Sequence, residues 1–251
     1  MERIEGRNPV FECLLRNKRA VRRILIDQGA KPDERITKIL EIARQRGIRV
    51  EHVERRALDK LAEDRVHNGI IAEADPLPSY TAAALVDVIW GTPDPFFVMV
   101  DEVSYEHNLG AILRTSLGFG VSGVIVPTRR GAGLSPVVHR VAMGAAEEVP
   151  LVREGLYAAL KPIKKAGFRI VGADMGGTPA HEADLRGAVA LLLGGEGEGL
   201  SAELRQRCDQ VVSVPLRGGL ESLNVSVAAA VLMYEKRRQD GWFTGGTEPR
   251  R

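Results

Sequence analysis

Three stretches place polar, basic and glycine residues where chemistry is the economical explanation. The first is DEVSYEHNLGAILRTSLGFG, residues 101–120. A strand-like run ends there in Asp101 and Glu102, and Asn108 suits a helix N-cap. Gly110 and Ala111 lie one turn before Arg114 and leave room for something to approach. Arg114 has small and apolar neighbours and no acid within one turn, so its charge needs a partner. Read alone, a structural ion pair with a distant acid accounts for it. The second stretch is LLLGGEGEGLS, residues 191–201, a strand running into glycines and then a helix from near Leu200. Glycines let backbone approach a ligand closely. The pattern is neither the dinucleotide fingerprint nor a P-loop, and Glu196 and Glu198 oppose phosphate. The loop suits a neutral or cationic cofactor, or is a tight turn. The third is VSVPLRGGLESLNVSVAAAVLMYEKRR, residues 212–238. Its Ser222-Leu223-Asn224 opens a helix of small residues, and Ser222 suits the N-cap. Capping and packing suffice there locally.

The elements that must position these stretches follow from periodicity. Continuous apolar strands are expected at 96–101, 123–127, 169–174, 188–195 and 210–216. Helices are expected at 108–119, 135–147, 155–166, 199–208 and 222–238. That alternation predicts an α/β fold with a parallel sheet covered on both faces. All three stretches follow strand ends of one sheet, where such folds bind ligands. Upstream, helices near 8–15 and 33–46 alternate with strands at 23–27, 48–53 and 69–74, a small α/β sandwich. Pro76, Pro78, Pro93 and Pro95 break regular structure between the two parts. The expected organisation is a small domain over 1–75, a Pro-rich linker over 76–95, and a larger domain over 96–240. A tail over 241–251 is expected to be disordered.

Composition narrows the function classes. The 251 residues are 44% hydrophobic and 27% charged, with net charge +2. That is globular composition without a strongly basic field, so nucleic acid must be held by local patches. Residues 1–75 carry 17 Lys+Arg against 14 Asp+Glu. Cys13 and Cys208 make no disulfide framework or four-cysteine zinc site. His52, His67, His107, His139 and His181 show no metal-ligand spacing with each other or with a cysteine, so no metal is expected. No apolar run approaches a membrane span, and the first residues lack a signal-type core. A soluble, cytoplasmic protein is the expectation.

Taken together, N-x-G-A-I-x-R-T at 108–115, L-G-G-E-G-E-G-L-S at 193–201 and S-L-N-V-S-V-A at 222–228 resemble the three motifs of the SpoU-type (TrmH-like) RNA ribose 2′-O-methyltransferases. The likeness spans about 96–238. I-E-G-R-N-P-V-F-E at 4–12 and V-H-N-G-I-I-A at 66–72 resemble the branch that modifies a guanosine of 23S ribosomal RNA. His67-Asn68-Gly69 departs from that branch, where Gln is commoner than Asn. The resemblance implies a trefoil-knotted SPOUT methyltransferase domain, an L30e-like RNA-binding domain before it, a homodimer, and S-adenosylmethionine as cofactor. By position, Gly194, Val214 and Leu223 hold the cofactor, with Gly195 and Leu216 close by.

The resemblance also implies roles. Arg114 activates and stabilises the ribose oxygen, Asn108 positions ribose or phosphate, and Glu196 orients Arg114 or another donor. Ser222 and Asn224 order the third loop and contact the RNA or the reacting centre. RNA is expected to meet Arg7, the cluster Arg16, Lys18, Arg19, Arg22 and Arg23, and the loop residues Arg129 and Arg130. Three other readings stand beside this one. They are a tRNA or antibiotic-resistance methyltransferase, a non-catalytic ribosome-assembly factor, and a nucleotide-dependent oxidoreductase that the absent fingerprint disfavours.

Overall fold

The computed structural model describes residues 1–63, 66–129, 131–195 and 199–243. In chain order these form β1 (Glu2–Glu5), α1 (Arg7–Arg16), β2 (Val21–Asp27), α2 (Glu34–Gln45), β3 (Arg49–Val53), α3 (Arg55–Leu61) and β4 (Ile70–Ala74). Then come α4 (Ala82–Val88), β5 (Phe96–Val100), α5 (Glu106–Gly118), β6 (Gly123–Val126), α6 (Pro136–Ala142), α7 (Ala145–Glu148) and β7 (Leu151–Arg153). The last are α8 (Leu156–Lys165), β8 (Arg169–Pro179), β9 (Val189–Leu193), α9 (Ala202–Arg207), β10 (Gln210–Ser213) and α10 (Val225–Gln239). The chain divides into two units. One comprises Met1–Pro78 with Leu134–Glu148, the other Ser79–Gly133 with Val149–Arg251.

The smaller unit holds a four-stranded sheet ordered β1-β4-β2-β3. β4 pairs antiparallel with β1 and β2, and β2 pairs parallel with β3. Asp33 caps α2 by accepting from Ile36 N at 2.8 Å. Ile36, Ile39 and Ala43 then bury one face at helical spacing. Ile4, Val10, Leu14, Ile24 and Ile70 complete this core.

The larger unit is built on a six-stranded, wholly parallel sheet ordered β10-β8-β9-β5-β6-β7. The central strands FFVMV and VALLL are buried at every residue, as a sheet covered on both faces requires. Phe97 packs on Phe168 with ring centroids 4.9 Å apart. The order puts β5, β8, β9 and β10 side by side, so their C-terminal ends open on a common edge.

Three expectations change. The stretch read as a linker contains α4: Thr81 caps it, and Ala82, Leu85 and Val86 join the larger core. The flanking prolines masked a helix only seven residues long. The helix expected over 135–147 is two short ones, because Met143 and Gly144 both adopt positive φ. The tail expected over 241–251 begins ordered, with Trp242 N donating to Arg237 O at 3.0 Å, while its residues 244–251 lie outside the described residues. No described helix is long and apolar enough to cross a membrane.

Candidate active site

A cavity of about 750 Å³ opens beside the ends of β8, β9 and β10. Its wall includes Asn108 from the first stretch, Gly194 and Gly195 from the second, and Val214, Leu216, Ser222, Leu223 and Asn224 from the third. Three stretches, with Asn108 and Asn224 116 residues apart, therefore meet around one volume. Their meeting follows from the sheet: β9 and β5 are adjacent, with Asp101 N donating to Leu193 O at 2.9 Å.

The glycines are required by close backbone approach. A Cβ on Gly194 would stand 2.1 Å from the carbonyl carbon of Gly199. Gly195 N donates to Gly199 O at 3.2 Å, closing the loop on itself. The wall here is main chain, with hydrogen-bonding groups and no side chain between them and the cavity. Ser213 at the end of β10 donates to Gly177 O at 2.9 Å, which fixes the origin of the third loop.

Asn224 joins the first and third stretches. Its Oδ1 accepts from Ser226 N at 2.9 Å and caps α10. Its Nδ2 donates to Asn108 Oδ1 at 3.1 Å. This corrects two expectations about caps. Asn224, not Ser222, caps α10; Ser222 is exposed on the loop before it. Asn108 sits inside the first turn of α5, whose N-cap position is Tyr105. Its amide is directed sideways to Asn224 instead of down its own helix.

Arg114 lies on α5 six residues beyond Asn108, about 9 Å along the axis at 1.5 Å per residue. It is exposed and makes no ion pair among the described residues. The expected burial in an apolar stripe is therefore not realised. Leu109, Ile112, Leu113 and Ser116 take the buried side of α5, while His107, Arg114 and Gly118 face out. Glu196, proposed to orient Arg114, lies outside the described residues, as does Arg130. Arg129 is exposed.

Sequence reasoning missed Asp174, Met175, Tyr105 and Leu220, which also line the cavity. Asp174 pairs with Arg205 and accepts from Met175 N at 2.8 Å. The signal was partial: Asp174 is the polar residue closing the apolar run RIVGAD, though β8 itself continues to Pro179.

The N-terminal basic cluster behaves otherwise. Arg23 is bidentate with Glu73 at 2.7 and 2.8 Å. Arg22 is bidentate with Asp75 at 2.9 and 2.5 Å. Arg16 meets Glu12 at 3.3 Å and Glu148 at 3.5 Å, and Lys18 meets Glu148 at 3.3 Å. Arg19 leaves the set of surface contacts altogether. Its side chain is 1% exposed and pairs with Glu147 and Glu2. Burial and Arg19 together hold His139 down to about 3, and burial pushes the Cys13 thiol up to about 11. Arg7 remains at the surface, bonded to Asp33 and to Asn68 O at 3.0 Å.

Comparison with known proteins converges with this geometry. Residues 95–234 match the SpoU rRNA Methylase family, and residues 3–80 match the family described as RNA 2′-O ribose methyltransferase substrate binding. A protein of Mycobacterium ulcerans named uncharacterized tRNA/rRNA methyltransferase is 40% identical over 245 residues, covering 95% of this chain and 77% of its own. The Mycobacterium avium protein of that name is 38% identical over 240 residues, with the same coverage. The SpoU methyltransferase AviRb from Streptomyces viridochromogenes, in complex with AdoMet, superposes with a TM-score of 0.78 at 26% identity, covering 94% of this chain and 89% of that one. A crystal structure of an RNA 2′-O ribose methyltransferase gives a TM-score of 0.77 at 26% identity, covering 94% and 88%.

Proposed function

Because the chain belongs to the SpoU rRNA methylase family, we propose that it transfers a methyl group from S-adenosylmethionine to a ribose 2′-hydroxyl of RNA, on a guanosine of 23S rRNA. The observation that carries this reading is the meeting of the three stretches around one cavity whose glycine wall has no room for a Cβ. Relatives named for RNA methyl transfer, and an AviRb structure with AdoMet bound, support it.

The residues present fit the cofactor. Gly194 and Gly195 offer main-chain groups, and Val214, Leu216 and Leu223 offer apolar contact. Nothing in that wall forms a phosphate cradle, in keeping with a cofactor that carries none. When bound, it supplies a methyl group on a positively charged sulfur. The chain must then place a ribose oxygen in line with the carbon–sulfur bond that breaks and stabilise that oxygen as its proton leaves to water. Arg114 is the group assigned to that oxygen. A guanidinium is too weak a base to take the proton in water, so its part is to hold and stabilise the oxygen's developing charge. Asn108, tied to Asn224, positions the ribose or its phosphate, and Ser222 lines the same cavity. Glu196 is the proposed orienting acid.

Two further parts of the reading concern partners. Val227, Val231 and Tyr234 form an exposed stripe on α10, and Tyr234 stacks on exposed Phe243 at 5.2 Å. An apolar face of this kind supports a homodimer, which light scattering tests directly. The match over residues 3–80 supports an RNA substrate and the stretches at 4–12 and 66–72 support rRNA; a cytoplasmic location goes with that reading.

The test offers 23S rRNA, 16S rRNA and tRNA transcripts separately with methyl-labelled cofactor, then maps the product by alkaline hydrolysis. A 2′-O-methyl group blocks cleavage at its own linkage. Label at one alkali-resistant guanosine of 23S rRNA is the expected result. Label in tRNA alone keeps the chemistry and overturns the substrate.

A further inference from the structure

The segment Leu134–Glu148 belongs structurally to the smaller unit, although it follows β6 of the larger one in sequence. Its acids explain where the N-terminal bases went. Glu147, 1% exposed at its side chain, takes the equally buried Arg19, with Arg19 Nε 3.0 Å from Glu147 Oε2. Glu148 takes Arg16 and Lys18. His139 stands 3.4 Å from Arg19 and 3.5 Å from Glu147 and is held neutral. Gly144, at φ +89°, lets the chain press against α1: a Cβ there would fall 2.6 Å from Glu12 Oε2. A buried charge pair is strongly position-specific, since separating it strands a charge in low dielectric. The segment is thereby fixed in one register against α1 and β1.

That register carries Arg140 to the loop before β4. Arg140 Nη1 donates to Val66 O at 2.9 Å. Arg7 Nε donates to Asn68 O at 3.0 Å, on the same loop. Two guanidiniums, from helices more than a hundred residues apart, are thus anchored to carbonyls two residues from each other. Arg140 has no carboxylate partner among the described residues. A guanidinium has five N–H donors, and one carbonyl leaves most of them open for a planar, two-oxygen acceptor. Anchoring also removes side-chain freedom before any ligand arrives, which lowers the entropic cost of binding. Exposed Lys31 lies two residues before Asp33, the partner of Arg7, and has no ion pair among the described residues.

We propose that Arg140 is an RNA-phosphate contact working with Arg7, and that Leu134–Glu148 is a built-in part of the RNA-docking unit. This rests on the reading of the protein as an RNA methyltransferase and places its docking charge away from the neutralised Arg16–Arg23 cluster. Sequence matching assigns substrate binding to residues 3–80, which do not include Arg140.

The experiment uses the full chain, a full-length 23S rRNA transcript, filter binding across about 50–200 mM salt, and steady-state methylation. Arg140→Ala is expected to weaken RNA binding about tenfold, raise KM for RNA, and leave kcat and cofactor affinity unchanged. Its log–log salt slope should be shallower by about 1, the signature of one lost phosphate contact. Arg140→Lys keeps the charge and should recover the slope. Lys38→Ala, which removes a charge already paired with Glu34, should leave the slope unchanged. Wild-type affinity and slope in Arg140→Ala overturn the proposal while the methyltransferase reading stands. Parallel loss of RNA binding, cofactor binding and Tm in Arg140→Ala, unrescued by lysine, also overturns it by making Arg140 structural. A wild-type chain that neither binds nor methylates any RNA removes the underlying reading, and this proposal with it.

Discussion

Arg19 and Arg114 are the same residue type in two regions that use charge in opposite ways. In the smaller unit Arg19 is sealed from water and matched by Glu147 and Glu2. In the larger unit Arg114 stands exposed on α5 without an ion pair among the described residues. The first arrangement spends a charge on locking one segment to another, since a paired buried cation has no field left for a ligand. The second leaves its side chain open to solvent. The cavity lined by Asn108 of the same helix is bounded by main chain, apolar side chains and a few polar ones, and its Asp174 is already paired with Arg205. Arginine content is therefore a poor guide to where RNA is handled, and the partners of each arginine are a better one.

The comparison is broken most severely by leaving Arg19 alone. Glu147→Ala should destabilise the smaller unit by about 3–5 kcal/mol, the usual consequence of stranding one member of a buried pair. Denaturant unfolding measures it, and a loss under 1 kcal/mol would mean that the pair is not shielded from water. Arg114→Ala should do the reverse, sparing stability and cofactor binding while methyl transfer falls about 10²–10³-fold. Single-turnover kinetics at saturating cofactor give the number, and normal turnover would exclude the proposed role. Gly194→Ala forces a methyl into the main chain of Gly199, so cofactor affinity should fall about 100-fold or more, about 2.7 kcal/mol, by calorimetry. RNA binding through the smaller unit should survive it.

His139 sharpens the contrast through pH. Folded, it is held down to about 3; unfolded, it titrates near the ordinary 6.5. The unfolded chain alone therefore takes up this proton between those values. Its contribution to stability is complete above about 6.5 and is lost progressively as pH falls toward 3. Comparing unfolding free energies of wild type and His139→Asn at pH 7 and pH 5 tests this: the wild type should lose more on acidification. The smallest effect belongs to Asn224→Ala. Losing the cap of α10 should cost about 1 kcal/mol, with a modest fall in turnover as Asn108 loses its partner.

Legibility in the sequence tracked how local the determining physics was. β5 and β9 could be read because continuous apolar pentapeptides leave few other placements. α2 could be read because its cap and its apolar spacing agree. α4 was hidden because seven residues between prolines carry too little periodicity. The cap of α10 was assigned to Ser222 instead of Asn224, since both types cap well and only the packed loop chooses between them. Asp174 was passed over because its partner, Arg205, lies thirty-one residues away.

The alternation of apolar strands with helices by itself determined the α/β class and the parallel sheet, and the three glycine- and asparagine-bearing stretches marked the strand ends as the candidate site. Those are consequences of burial and of backbone space, which each segment records in its own residues. Which charges stay available was decided only by tertiary structure. Arg16, Lys18 and Arg19 resemble a nucleic-acid patch until Glu147 and Glu148, more than a hundred residues later, fold against them. Electrostatic pairing depends on distance in space and on exclusion of water, and neither is written in the order of residues along the chain.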